Sequence, residues 1–206
     1  MKLYLSSFKI GKNPKTLVNM LGENMKTAYI TNGHAHATTD VRQFESTWDI
    51  RELREAWLLP EVLNLSDYFG KQKLLKKKLE SFGLIYVAGW HILNLRIAMK
   101  LSGFDVAINE LIDSDIVYAW YDVGASIVGP DLNAYKWVEL ESFITYKHDT
   151  IWEWLGLTPW YVVGNIDSVH ELSNEKSKKL IKYYDDKDLK YKKIKDGEVV
   201  LHIVKK

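Results

Sequence analysis

Ile116 to Asp131 reads IVYAWYDVGASIVGPD, and this stretch decides how the whole chain is read. Ile116 to Ala119 is an apolar, β-rich run that predicts a buried strand. Trp120 to Val123 predicts an abrupt turn, and Gly124 begins a helix. A strand that breaks sharply into a helix pushes the turn residue out at the carboxyl edge of a sheet, where backbone N–H groups of the new helix converge on it. The residue at that elbow is Asp122. An Asp there either caps the helix through its side-chain oxygen or stands in the mouth of a site.

Working outward, the chain alternates strands and helices. Lys2–Ser6, Thr27–Thr31, Glu61–Leu65, Leu84–Ala88 and Trp160–Val163 read as strands. Between them, helical spacing predicts Asn13–Leu21, Asp40–Trp57, Gly70–Phe82, Asn94–Leu101, Val106–Ile112 and Glu175–Tyr184. Lys190–Ile194 and Glu198–Val204 flank Asp196-Gly197, a hairpin turn signal. Leu84–Ala88 is apolar throughout, as in a strand covered on both faces. The expected fold is α/β: residues 1–206 as a single domain with a doubly wound, mostly parallel sheet flanked by helices and an antiparallel C-terminal hairpin. In such sheets ligands bind beyond the carboxyl ends of the strands. That rule gathers four loops into one crevice: Asn32–His36, Gly89–Leu93, Trp120–Gly124 and Gly164–Ser168.

Composition narrows the function classes. The 206 residues are 47% hydrophobic and carry a net charge of +1, which supports a core and gives no electrostatic case for nucleic acid or an acidic membrane. The basic run Lys71–Lys78 has Leu74, Leu75 and Leu79 at helical spacing and reads as a solvated helix face. No cysteine is present, which excludes disulfides, a thiolate nucleophile and Cys-ligated metal. No apolar run is long enough to span a bilayer, and the chain opens on a strand instead of a signal peptide, so a cytoplasmic protein is expected.

The segments KLYLSSFKIG (2–11), DYFGK (67–71), LIYVAG (84–89), NLRIAMKLSGFD (94–105), IVYA followed by GASIVGPDL (116–132), and WEWLGLTPWYVV (152–163) resemble the peptidase E (aspartyl dipeptidase) family of serine peptidases. The resemblance implies a class I glutamine amidotransferase-like fold, dipeptide hydrolysis by a serine nucleophile, and self-association. The departures fall in the crevice. Trp90 stands where the family has an oxyanion-hole glycine, Asp122 at its serine nucleophile, and Asn165 at its histidine base. A carboxylate is a poor nucleophile toward an amide, and a neutral amide side chain takes no proton at neutral pH. The expectation is loss of the peptidase activity on a kept scaffold, with the active site replaced as in an engineered variant.

The replaced residues suggest other chemistry. Trp90 and Trp120 are expected to wall a slot for a flat aromatic ligand and to desolvate Asp122, raising its basicity. His91 is expected beside Asp122, as nucleophile or general base with the carboxylate fixing its tautomer. His34, His36, Val123, Asn165 and Ile166 complete the expected binding surface. His34, His36, His91 and Asp122 would supply a three-nitrogen, one-oxygen metal set, but the spacing is unspecific and neither metal nor cofactor is expected. Ser126 lies a turn beyond the elbow and lacks its exposed position. His148, His170 and His202 read as structural or surface residues, and Trp48, Trp57, Trp137, Trp152 and Trp154 as packing helices or subunit contacts instead of ligand. The crevice loops hold no Lys for Schiff-base chemistry. Three functions remain open: acid–base or His-nucleophile chemistry on a small aromatic substrate, binding of such a ligand without turnover, and a working dipeptidase.

Overall fold

The computed structural model describes residues 1–138 and 143–205, and at residues 122–124 the backbone alone. Strands β1 (Lys2–Ser6), β2 (Lys26–Ile30), β3 (Leu59–Val62), β4 (Leu84–Val87), β5 (Val117–Tyr121) and β8 (Val199–Ile203) form one sheet in the order β3-β2-β4-β5-β1-β8. The pairings among the first five are parallel, and β8 runs antiparallel to β1. Strands β6 (Tyr161–Ile166) and β7 (Tyr191–Lys195) pair in parallel as a separate two-stranded sheet. The helices are α1 (Pro14–Met20), α2 (Thr39–Glu55), α3 (Gln72–Leu79), α4 (Ile92–Ser102), α5 (Phe104–Glu110) and α6 (Glu171–Asp186). No helix among the described residues is long and apolar enough to cross a membrane.

Two-residue strand periodicity sorts the core. Leu3, Leu5, Ile30, Ile85, Val87, Tyr118 and Trp120 face α3, α4 and α5, in the larger apolar cluster. Tyr4, Tyr29, Leu84, Tyr86, Val117, Ala119 and Tyr121 face α1 and α2. Both faces are covered, which is why these strands read as unbroken apolar runs.

The structure corrects several expectations. The arms around Asp196-Gly197 do not pair with each other. The turn forms, with Glu198 N–H donating to the Lys195 carbonyl at 2.9 Å, but β7 joins β6 and β8 joins β1. The antiparallel strand is therefore at the C-terminus as expected, with β1 as its partner. The third strand lies at Leu59–Val62, earlier than expected, because Leu63 and Leu65 turn into the core. Strand β5 continues through Tyr121, and the elbow leads into a 3-10 run, Asp122–Val128, instead of an α-helix. Strand β6 extends to Ile166, so Asn165 and Ile166 are strand residues across an irregularity in its pairing. Helix α6 starts four residues before the expected Glu175 and so reaches the crevice.

The sheet order also fixes where a site can form. The connection leaving β2 runs outward to β3, while that leaving β4 runs the other way to β5. The gap beyond the carboxyl ends of β2 and β4 is the topological switch point, where no crossing connection fills the space.

Candidate functional site

The two loops at the switch point are joined through glycine. A Cβ added at Gly33 would lie 2.4 Å from the Gly89 carbonyl oxygen, so only glycine permits the approach. The Gly33 carbonyl then accepts the His91 N–H at 3.2 Å. Asn32 anchors the first loop from below. Its Oδ1 accepts the Leu65 N–H at 3.0 Å, and its Nδ2 lies 2.9 Å from both Asn64 Oδ1 and Tyr146 Oη.

This closure brings together the imidazoles and an indole. His34 meets Trp90 edge-on with ring centres 4.7 Å apart. The His36 ring lies 5.8 Å from Trp90, 5.3 Å from His91 and 5.6 Å from Phe143. Trp90 holds a backbone φ of +96°, a region costly for any residue with a Cβ. That is the physical trace of a position suited to glycine. His34 is fully buried, and neither ring nitrogen has a hydrogen-bond partner among the described residues. Burial, followed by the nearby His36 and Arg42, pushes its pKa down to about 4.

His91 is the N-cap of α4, its Nδ1 accepting the Asn94 N–H at 3.3 Å. A nitrogen that accepts a backbone N–H carries no proton, so in the neutral ring the proton is assigned to Nε2. Asn94 in turn donates from Nδ2 to the Phe143 carbonyl at 2.9 Å and accepts the Thr145 N–H at 2.8 Å. Asn94 thereby hangs the Phe143 segment over the crevice.

The cleft beneath these rings has a volume of about 880 Å³. Its ring-bearing end is His36, Trp90, His91 and Phe143; its floor includes Ser126, Gly164 and Asn165; α6 supplies the far wall with Leu172, Lys176 and Ser177. Ser126 is buried with its hydroxyl committed: it donates to the Val162 carbonyl at 2.8 Å and accepts from Tyr135 Oη at 2.6 Å. Asn165 sits at φ +54° and donates its N–H to Ser7 Oγ at 2.6 Å.

Of the expected site residues, the structure gathers His36, Trp90, His91 and Asn165 around the cleft. His34 stands behind Trp90, buried in the wall. Trp120 is a correction: strand alternation turns its indole into the core below α4, fully buried against Tyr118, so it walls no slot. Ile166 does not line the cleft. The side chains of Asp122 and Val123 lie outside the described residues. The aromatic wall expected of Trp120 is supplied by Phe143 and Trp137, the latter read from the sequence as a packing residue. Lysines do reach the cleft, from outside the four loops: Lys136, Lys176 and Lys179. Among the described residues no group of three metal-ligating side chains is arranged to hold an ion.

On the opposite face of the sheet, sequence reading missed a buried carboxylate. Asp49 of α2 accepts on Oδ2 from Tyr29 Oη at 2.7 Å and Tyr121 Oη at 2.8 Å, with Lys9 Nζ 3.9 Å from Oδ1. Burial raises its pKa; the two phenol bonds and then Lys9 pull the other way. The signal was present as Tyr4, Tyr29, Tyr86 and Tyr121, one per strand and all on the same face. Tyr121 directly precedes the elbow, so Asp49 ties α2 to the backbone that presents Asp122.

No family model matches this chain, and no curated protein matches it in sequence. Solved structures match its fold. A putative peptidase E protein from Listeria monocytogenes EGD-e superposes with a TM-score of 0.72 at 17% identity, over 99% of this chain and 98% of that one. A peptidase from an acI-B1 Actinobacterium gives 0.69 at 13% identity, over 99% and 90%. The scaffold is peptidase E-like. At 17% identity most positions of the chain differ from this neighbour.

Proposed function

We propose that the cleft binds a small aromatic molecule and that serine-peptidase chemistry does not operate in it. The observation that carries this reading is the convergence of His36, Trp90, His91 and Phe143 on one cleft at the switch point, with ring centres 5.3 to 6.2 Å apart. Rings at these spacings touch one another, so a flat ligand ring would pack edge-on or offset against the outside of the cluster, within the cleft. The residue at the family's nucleophile position is an acid, the one at its base position an amide, and the Ser126 hydroxyl is committed to a carbonyl.

The state of His91 restricts the acid–base chemistry further. With Nδ1 accepting from the helix amide, Nε2 is the nitrogen that can donate a hydrogen bond to a ligand or to Asp122. A ring whose Nδ1 lone pair is taken by the helix amide and whose Nε2 carries the proton is a donor and an orienting group, not a nucleophile. Proton abstraction, where it occurs, falls to the Asp122 carboxylate. The same chemistry follows whether these residues arose by divergence or by design.

The test is binding of a small aromatic probe such as indole or p-nitrophenol, followed by intrinsic fluorescence and by chemical shifts of the imidazole protons. The expected result is saturable binding that Trp90→Gly, which also relieves the backbone at position 90, weakens about tenfold or more. Binding unaffected by Trp90→Gly and by Phe143→Ala would overturn the assignment. For turnover, an activated p-nitrophenyl ester is assayed with and without Asp122→Asn. A rate unchanged by the substitution removes Asp122 as the base, and hydrolysis of aspartyl dipeptides well above background would restore the peptidase reading.

A further inference from the structure

One strand over from the switch point, beyond the carboxyl ends of β2 and β3, lies a second cavity of about 400 Å³. It shares no lining residue with the aromatic cleft. Its walls come from the loop after β2, the loop after β3, the first turns of α2 and the segment at Thr145 and Tyr146. Chemically it is the cleft's opposite. Among the described residues, six hydroxyl side chains, three amides and Arg42 line it, with Ala35 and Val62 the apolar members. No carboxylate of those residues lines it, although acids make up 27 of the chain's 206 residues.

The hydrogen bonds at its floor leave donors over. Asn32 is buried and gives its amide protons to Asn64 Oδ1 and Tyr146 Oη, each 2.9 Å away. Asn64 Oδ1 also accepts the Ser66 N–H at 3.0 Å, which uses its second lone pair and leaves the Asn64 amide N–H groups to offer. Tyr146 Oη and Ser66 Oγ lie 3.2 Å apart, and either can donate to the other. That pair holds two hydroxyl protons and needs one for the bond between them, so the second is left to donate elsewhere. At the rim stands Arg42. Its Nη2 reaches Thr39 Oγ1 at 3.5 Å, and it has no ion-pair partner among the described residues. Helix α2 begins beside it at Thr39 and adds the positive end of a 17-residue helix. Asp40 of the same turn lines a neighbouring groove instead.

We propose that this cavity binds the phosphate group of a small polar ligand, with Arg42 as its charged anchor and the Tyr146–Ser66 pair and the Asn64 amide as further donors. Donors in excess of acceptors call for an anion with several oxygens. A phosphate monoester presents three acceptor oxygens and about −1.5 to −2 charges, and a guanidinium takes two of those oxygens in parallel. A carboxylate, with two oxygens, would engage the guanidinium and leave the remaining donors unmet. The volume lies within the about 300–1,000 Å³ of small-molecule sites and exceeds what phosphate alone fills. Thr31, Gln43 and Thr145 are then left for the hydroxyl groups of the ligand's body. Since the two cavities have no residue in common, the inference does not rest on the aromatic ligand.

The test is titration of the full chain with inorganic phosphate and with glycerol phosphate at constant ionic strength, followed by backbone amide chemical shifts. Circular dichroism confirms the fold of each variant. Both probes are expected to saturate in the millimolar range and to shift the amides of Thr31, Asn64, Ser66 and Thr145. Arg42→Gln weakens binding about tenfold or more, and Arg42→Lys weakens it less than Arg42→Gln does. Ser66→Ala weakens it about threefold. Shifts confined to the α6 wall of the aromatic cleft, at Lys176 and Lys179, would mean general attraction of anions to lysines and would overturn the proposal. So would shifts that never saturate and that chloride reproduces, or binding indifferent to Arg42→Gln.

Discussion

At the scale of single residues, Asp49 and Trp90 each hold an unfavourable state that their neighbours make worthwhile. Asp49 places a carboxylate among tyrosines in a buried face, where desolvation opposes charge and two phenol donors favour it. Removing the acceptor strips both buried hydroxyls of their carboxylate and leaves Tyr29 only its Ser46 contact. Asp49→Ala should therefore cost about 3 kcal/mol in urea unfolding, near the penalty for breaking a buried polar network. Asp49→Asn keeps an oxygen for both phenols and abolishes the desolvated charge, and should stay within about 1 kcal/mol of the parent. Equal losses for the two variants would show that the charge itself, through Lys9 at 3.9 Å, holds the cluster. Trp90 was legible in the sequence as an indole at a glycine position, but only backbone geometry shows its φ of +96°. Trp120 was misread because the strand was expected to end at Ala119, two residues too early. Once the strand runs to Tyr121, alternation sends position 120 into the core.

At the scale of elements, the site depends on how loops are clipped together. The turn after β2 and the turn after β4 touch through Gly33, whose φ is ordinary and whose requirement is purely steric. Gly33→Ala would drive a methyl into the backbone carbonyl of Gly89, which cannot swing aside as a side chain would. A loss of about 1–3 kcal/mol is expected, together with disturbed His91 resonances. Asn94 performs the second clip. Asn94→Ala removes both side-chain bonds to the Phe143–Thr145 segment. It should cost about 2 kcal/mol and selectively raise amide hydrogen exchange at Thr145. Protection at Thr145 equal to the parent's would show that the segment is held by other contacts. Neither clip could be read from the sequence, because Gly33–Gly89 and Asn94–Phe143 are contacts between segments far apart in the chain. The separation of the two C-terminal strands was hidden for the same reason: Asp196-Gly197 signals a turn, and a turn does not say which sheet its arms enter.

At the scale of the molecule, buried titratable groups of opposite kind shape the response to acid. His34 is held neutral, its pKa pushed down to about 4 from the ordinary 6.5. The unfolded chain therefore binds the proton more readily between these values. The contribution of neutral His34 is fully present above pH 6.5 and is lost as pH falls toward 4, about 3 kcal/mol in all. Asp49 and Glu52, both raised by burial, act in the other direction, since the folded state holds their protons more tightly and gains as pH falls through their folded values. Urea unfolding at pH 7 and pH 4.5 should show His34→Phe losing about 2–3 kcal/mol less than the parent over that interval. Parallel losses in the two proteins would mean that His34 takes up its proton in the folded protein as readily as in the unfolded chain. What the amino-acid order determined alone was the α/β class, the parallel strands buried on both faces and the location of a crevice beyond their carboxyl ends. These follow from hydrophobic periodicity and turn residues, which act over a few positions. Tertiary structure alone decided which rings meet in the cleft, that Trp120 leaves it and Phe143 enters, and that a buried acid takes the hydroxyls of two tyrosines. Such contacts depend on strand order and on the phase in which each strand meets its neighbour, and short-range pattern carries neither.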